Sequence, residues 1–309
     1  MAETAQPVVK RLALIGLGLI GSSLARVAQR EKLAESIVLF DASDKVRTRL
    51  HELKIGDVVA ETAEAAVKDA DLVILCVPVG ANEAVGRLIS PHLKDGSILS
   101  DVGSVKSSVV SALSPYLSEE VHLIPAHPVA GTEYSGPDAG FADLFLNRWC
   151  IITPLEGVEE APLGILRSFW ERAGANVELM TPNHHDLVLA ITSHVPHLIA
   201  YNIVGTAADL EEVTQSEVIK FSAGGFRDFT RIAASDPTMW RDVFLNNKDA
   251  VLEMLGRFNE DLAALQRMIR WGDGDGLFEL FTRTRTIRRG IIEQGQETAA
   301  PDFGRRTKH

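Results

Sequence analysis

The chain has 309 residues, 46% of them hydrophobic and 24% charged, with a formal net charge of −11. That length exceeds the usual single-domain size, so two domains with buried cores are expected. The negative balance repels a nucleic-acid backbone and an anionic lipid surface. It therefore excludes both as expected partners, and any anionic substrate must be drawn by a local cationic pocket.

Lys10-Arg11 ahead of the apolar run Leu12 to Leu24 imitates a secretory signal. The glycines within it, Gly16, Gly18 and Gly21, assign the run to a folded domain instead, and no apolar stretch approaches the length of a membrane span. From Arg11 to about Met180, short β-branched runs alternate with helical stretches, which predicts a parallel sheet flanked by helices. The predicted strands are Leu12–Ile15, Ile37–Phe40, Leu72–Val77, Ser97–Ser100, His122–Ile124, Trp149–Thr153 and Asn176–Leu179. The only two cysteines, Cys76 and Cys150, fall in apolar runs that read as buried strands. This argues against a disulfide framework and fits the cytoplasm.

After Met180 the strand signal stops. Asn183 to Val204 reads as a long apolar helix kinked at Pro196, and the chain stays helical to about Ile292. Asp236-Pro237 supplies an N-cap and a proline at the first helical position, and Gly272 to Gly276 a glycine-rich stop. Val251, Met254, Leu255, Phe258, Leu262, Leu265 and Ile269 recur at helical spacing. Core packing explains such a stripe, and burial against a second copy of the chain suits it too, so a homodimer is expected. The polar tail 294–309 reads as disordered. The expected domains are thus 1–180 and 181–293, followed by that tail.

Gly16-Leu17-Gly18-Leu19-Ile20-Gly21 follows an apolar strand and opens a helix, the context in which this glycine spacing binds a dinucleotide. The first glycine permits the turn. The second lets backbone approach a pyrophosphate, and the third allows close packing of helix on strand. Asp41 ends the second strand, where a carboxylate accepts both ribose hydroxyls of NAD and repels the extra phosphate of NADP. Arg47 and Arg49 nearby keep NADP open. Val77, Pro78 and Asp101 close their strands on the same carboxyl edge and join the predicted cofactor site.

Ser104, in Gly103-Ser104-Val105-Lys106, reads first as a helix N-cap and second as a group that holds an imidazole or a substrate hydroxyl. Lys106 reads as a solvated helical lysine. His127, before Pro128 and Gly131, reads either as a structural histidine or as a general base on a loop fixed by those two residues, with Thr132 and Glu133 beside it. His194 and His197 share a helical face, and His184-His185-Asp186 lies upstream. Without three ligands in compatible spacing no metal is expected, and Asp273-Gly274-Asp275-Gly276 reads as a turn. In Gly225-Phe226-Arg227-Asp228-Phe229-Thr230-Arg231, Arg231 reads either as half of a structural ion pair or as a fork gripping a carboxylate, with Asp228 orienting it.

These motifs, together with the phrase from Gly225 through Arg231 to Ser235-Asp236-Pro237-Thr238-Met239-Trp240-Arg241-Asp242, resemble the prephenate/arogenate (cyclohexadienyl) dehydrogenases over nearly the whole chain. The resemblance implies an α/β fold, with an N-terminal Rossmann-type dinucleotide-binding domain followed by an all-α dimerisation domain. It implies an NAD-dependent oxidative decarboxylation of prephenate, with arogenate left open, in tyrosine biosynthesis. By the same resemblance, His127 takes the proton of the C4 hydroxyl and Ser104 supports it. Ser193, His194, His197 and Trp240 line the substrate pocket, and Arg231 binds a substrate carboxylate. There is no room for a fused mutase domain before Arg11 or a regulatory domain after Ile292, so inhibition by tyrosine would be expected to act at the active site. Two readings compete: a β-hydroxyacid dehydrogenase using Lys106, and a non-enzymatic NAD(H) sensor, which would not need His127, Ser104 and Arg231 to converge.

Overall fold

The computed structural model describes residues 6–132, 134–210, 220 and 224–293. Six parallel strands form the first sheet: β1 (Val9–Ile15), β2 (Ala34–Phe40), β3 (Val58–Val59), β4 (Leu72–Leu75), β5 (Ile98–Asp101) and β6 (His122–Leu123). They lie in the order β3-β2-β1-β4-β5-β6. Helices α1 (Leu19–Arg30), α2 (Asp44–Leu53), α3 (Ala63–Val67), α4 (Asn82–Ile89) and α5 (Ser107–Leu113) connect them.

Because successive strand side chains point to opposite faces, β1 feeds two cores. Leu12 and Leu14 join Leu24, Leu39, Phe169 and Trp170, while Ala13 and Ile15 join Val73, Leu75, Leu99 and Val109. A parallel sheet buried on both faces follows. The strand order reverses between β1 and β4, and at such a switch point the carboxyl ends of the strands leave a crevice for ligand.

A second sheet was not anticipated from the sequence. β7 (Ala126–Pro128) pairs antiparallel with β8 (Trp149–Ile152), which pairs parallel with β9 (Asn176–Leu179) after helix α6 (Glu160–Arg172). The sequence reading had placed the strands at Trp149 and Asn176 in the single parallel sheet. Pro125 separates β6 from β7 and has no N–H to continue a ladder, so the chain turns there to a new partner. The Pro125 carbonyl accepts the Thr153 amide at 2.8 Å.

The helical region opens with α7 (Pro182–Leu189), capped by Thr181, whose hydroxyl accepts the His184 amide. A π-helical turn, Ala190–His194, leads into α8 (Val195–Asp209). The kink expected at Pro196 is thus absorbed one turn earlier, where a wider turn relieves the carbonyl that proline cannot satisfy. Contrary to the sequence reading, the helical run Pro182–Asp209 holds an 18-residue window of mean hydropathy 1.5 and is, by length and composition, long and apolar enough to cross a membrane. Its polar residues are interspersed, so no continuous apolar run announces it.

Next come α9 (Gly224–Thr230), α10 (Pro237–Asn246), α11 (Lys248–Trp271) and α12 (Gly274–Glu293). Asp236 caps α10 by accepting the Met239 amide at 2.8 Å, and Gly272, at φ +69°, follows the end of α11. Trp240 and Val243 of α10 pack into the core that holds Ala13 and Ile15. The first compact unit accordingly continues through Leu252, and a second begins at Glu253. Of the predicted stripe, Val251 and Met254 are buried, whereas Leu262 and Ile269 of the second unit are 42% and 68% exposed.

Candidate active site

The glycine turn has the shape a dinucleotide needs. Gly16 adopts φ +93°, and a Cβ there would lie 2.7 Å from the Cys76 carbonyl oxygen. A Cβ on Gly21 would lie 2.0 Å from the Gly16 carbonyl oxygen, so helix and strand pack at a distance only glycine permits. Gly18 differs: its Cβ direction meets nothing within 4 Å. As N-cap of α1 it gives no side-chain bond, and the first turn carries no acid. The N-terminus of α1, with its dipole and the first-turn amides from Leu19 and Ile20 onward, thus begins at the open space beside Gly18, which suits a pyrophosphate.

Asp41 is anchored beside this turn. Its carboxylate accepts the Leu17 amide at 2.8 Å and the Ser43 amide at 2.9 Å, leaving lone pairs for two hydroxyls. Arg47 lies over the Phe40 ring at 5.6 Å, donates to the Asp41 carbonyl at 2.7 Å and pairs with Asp44. Arg49 pairs with Asp138 and Glu52. Both arginines that kept NADP open already hold carboxylates. Half-buried Val77 and exposed Pro78 follow β4 at the same edge.

Asp101 is a correction. It is 1% exposed and accepts Lys106 Nζ at 2.5 Å, the Gly103 amide at 2.7 Å and the Ala126 amide at 3.3 Å, so it has no surface to offer a cofactor. Lys106 is equally unlike the solvated lysine expected: it is fully buried and also donates to the Ala126 carbonyl at 2.7 Å. Burial raises the Asp101 carboxyl and lowers the Lys106 ammonium against the opposing pull of their pairing. A lysine so enclosed cannot reach a substrate, which removes the β-hydroxyacid reading.

His127 stands on β7 rather than on a loop, paired opposite Ile151. It is 7% exposed. Its Nδ1 lies 2.8 Å from His185 Nε2, and His185 Nδ1 lies 2.8 Å from Asp186 Oδ1. Asp186 reaches back from α7 to cap α5, accepting the Lys106 amide at 2.8 Å and the Ser107 amide at 2.9 Å. Burial, then His185, Lys106 and His194, hold His127 well below the ordinary histidine range. Burial also lowers His185 against the pull of Asp186. Asp186 would be raised by burial, but His185 and the capped amides outweigh this and hold it below the usual carboxylate range.

Among the described residues no hydrogen bond joins Ser104, which the resemblance has supporting His127, to this imidazole, whose inner nitrogen is held by His185. Nor is it a helix cap: Lys106 occupies that position. Ser104 is half-buried beside the cluster. His194 is completely enclosed and has no surface with which to line a pocket. Its Nδ1 lies 3.0 Å from Asn247 Nδ2, which also donates to the Asp186 carbonyl at 2.8 Å. Burial, with help from His185, pushes His194 down to about 4.

His197 is half-buried and stacks on Trp240, with ring centroids 3.6 Å apart. Its Nδ1 donates to the Ser193 carbonyl at 2.8 Å. Burial lowers its pKa; the Ser193 carbonyl opposes this, and Arg231 adds to the lowering, which puts that guanidinium within electrostatic reach of the ring. Asp228, expected to orient Arg231, is exposed and pairs with its neighbour Arg227 at 3.4 Å. Thr132 is exposed and accepts the Tyr134 amide at 3.2 Å; Glu133 lies outside the described residues. His185, Asp186 and Asn247 are the members that sequence reasoning missed. His184-His185-Asp186 had been weighed only as metal ligands, and among the described residues no cluster of three or more His, Cys, Asp or Glu could hold a metal.

Residues 24–179 match the family model described as prephenate dehydrogenase, nucleotide-binding domain, and residues 181–283 that of the prephenate dehydrogenase dimerization domain. The chain is 43% identical to a cyclohexadienyl dehydrogenase of Zymomonas mobilis, over 91% of this chain and 96% of that protein. It is 31% identical to a prephenate dehydrogenase of Bacillus subtilis, over 94% and 78%. A crystal structure of prephenate dehydrogenase from A. aeolicus in complex with hydroxyphenyl propionate and NAD+ superposes with a TM-score of 0.85, at 30% identity, covering 91% of this chain and 98% of that one. Fold and site thus define an NAD-dependent oxidoreductase. Within that class the chain belongs to the prephenate/arogenate dehydrogenase family.

Proposed function

We propose that this chain oxidises and decarboxylates prephenate with NAD, yielding 4-hydroxyphenylpyruvate, CO2 and NADH in tyrosine biosynthesis. One observation carries the reading. A buried imidazole, kept neutral by its surroundings, has its inner nitrogen held by His185, and its outer nitrogen takes no hydrogen bond among the described residues. Such a nitrogen is a general base.

NAD, when bound on the glycine turn, supplies the hydride acceptor. His127 Nε2 accepts the proton of the substrate's C4 hydroxyl, and Ser104 Oγ, free of His127, orients the same hydroxyl. Arg231 holds a carboxylate beside His197, Ser193 and Trp240. The departing carboxylate leaves its bonding electrons in the ring, and aromatisation drives the step, so the protein supplies orientation and proton transfer. A carboxylate destined to leave gains nothing from a tight ground-state grip, so Arg231 serves the one that stays.

Arogenate, whose product is tyrosine, is the competing substrate. Its ammonium calls for a nearby acid, and 181–185 offers none, which favours prephenate. We place the domain boundary between 180 and 181, the molecule in the cytoplasm, and two copies together through the helical domain. The matched dimerization-domain model and the exposed Ile269, Trp271 and Phe278 support that pairing.

The test is steady-state turnover of the purified chain on prephenate and arogenate, each with NAD and NADP. Prephenate with NAD is expected to give the highest kcat/KM. Absence of turnover on both substrates overturns the reading, and a preference for arogenate overturns the choice between them.

A further inference from the structure

We propose that His185 and Asp186 are positioning residues that lock His127 into the tautomer whose outer nitrogen, Nε2, is bare. The inference rests on the reading of His127 as the base, and it follows from counting hydrogens along one chain of contacts. Asp186 uses both oxygens as acceptors, Oδ1 for the Lys106 amide and Oδ2 for the Ser107 amide, an arrangement that fits a carboxylate and not a carboxylic acid. Oδ1 also faces His185 Nδ1 at 2.8 Å, so that nitrogen must carry a hydrogen.

A neutral imidazole has one N–H, so His185 Nε2 is then an acceptor. It faces His127 Nδ1 at 2.8 Å, so the hydrogen in that contact belongs to His127. Neutral His127 consequently presents Nε2 with its lone pair. The opposite tautomer would set two bare nitrogens against each other at 2.8 Å, or require a charged His185, which burial disfavours. The logic is that of a second group fixing which ring nitrogen is available.

The other charged and titratable groups facing the pair come from four elements. They are Asp101 at the end of β5, Lys106 at the N-cap of α5, His194 of the π turn, and Cys150 on β8. None bonds to either ring nitrogen of His127 or to His185 Nε2. Asn247 secures the assembly from the far side by holding the Asp186 carbonyl and His194 together. His185 and Asp186 touch no reacting atom in this scheme.

The first test needs no substitution. The ¹⁵N spectrum of the histidine-labelled protein near neutral pH is expected to show His127 protonated at Nδ1 and bare at Nε2; the reverse assignment overturns the proposal. The second compares His185→Leu with His185→Gln. Glutamine can donate to Asp186 and accept from His127, as neutral His185 does, whereas leucine can do neither. His185→Leu is expected to lower kcat by about 10² to 10⁴ fold with KM and NAD affinity little changed. His185→Gln is expected to recover at least about tenfold of that loss. Equal activity of the two variants, or wild-type kcat in His185→Leu, overturns the positioning role. His127→Asn distinguishes the two failures: full turnover there defeats the base itself, whereas a dead His127→Asn beside an active His185→Leu defeats only the relay.

Discussion

Asp41 and Asp101 end strands β2 and β5 at the same edge of one parallel sheet, yet they have opposite fates. Asp41 is half-exposed, accepts two backbone amides and keeps lone pairs facing the glycine turn. Asp101 is sealed, and its oxygens are taken by Lys106, Gly103 and Ala126. The first carboxylate stays available because only neighbours near the turn contact it. The second is consumed because β7 and the loop ahead of α5 close over it. The same edge therefore holds a receptive half around α1 and a dense, preorganised half around His127, where charges act on one another instead of on water.

The dense half should show the larger effects. His127→Asn is expected to reduce kcat by about 10² to 10⁴ fold while NAD affinity, measured by fluorescence titration, stays near native. A matching loss of NAD affinity would mean the two halves are not separable. Lys106→Met leaves Asp101 buried without its cation and is expected to cost about 3 to 5 kcal/mol of stability. Denaturant unfolding measures it, and an unchanged midpoint would mean the pair contributes nothing.

Acid should strip stability from the same half. His127, His185, His194 and His197 all have folded pKa values below the ordinary 6.5, so the unfolded chain binds more protons as pH falls. Their contribution is complete above about pH 6.5 and is lost on acidification toward the folded values. For His194, at about 4, the loss between pH 7 and 5 is about 2 kcal/mol. A Tm that stays flat over that window would contradict the neutral cluster. For activity, the acid limb of kcat/KM is expected well below 6.5, not at the 6 to 7 of a solvent-exposed histidine.

The receptive half gives the smallest effect. Asp41→Ala is expected to weaken NAD by about ten to a hundred fold, the scale of hydrogen bonds to a charged group. It should also narrow the NAD to NADP ratio. An unchanged ratio would remove Asp41 from the site.

The same contrast explains what could be read in advance. The turn at Gly16, Gly18 and Gly21 and the strand end at Asp41 were legible because their geometry depends on neighbours close in the chain and on a strand-turn-helix context that hydropathy reveals. Lys106 was misread because its partners are set by a buried tertiary site, while its sequence setting is that of an ordinary helix start. His185 was seen and misassigned: its bond to His127 spans 58 positions, and the Asp186 cap on Lys106 spans 80. No periodicity encodes such distances. β7 is three residues bounded by prolines, too short for an alternation pattern, and the sheet it founds went unpredicted with it.

The π-helical turn Ala190–His194 carries a consequence for how this site can vary among descendants. Such a turn is one residue too many for a regular helix, and everything after it is rotated relative to everything before. His185 and Asp186 precede it, while His197, which stacks on Trp240, follows. Losing a single codon here would give a more regular helix and swing His197 off Trp240 by about a quarter turn or more. Lineages that keep the chemistry should therefore accept substitutions throughout this helix more readily than any change in its length.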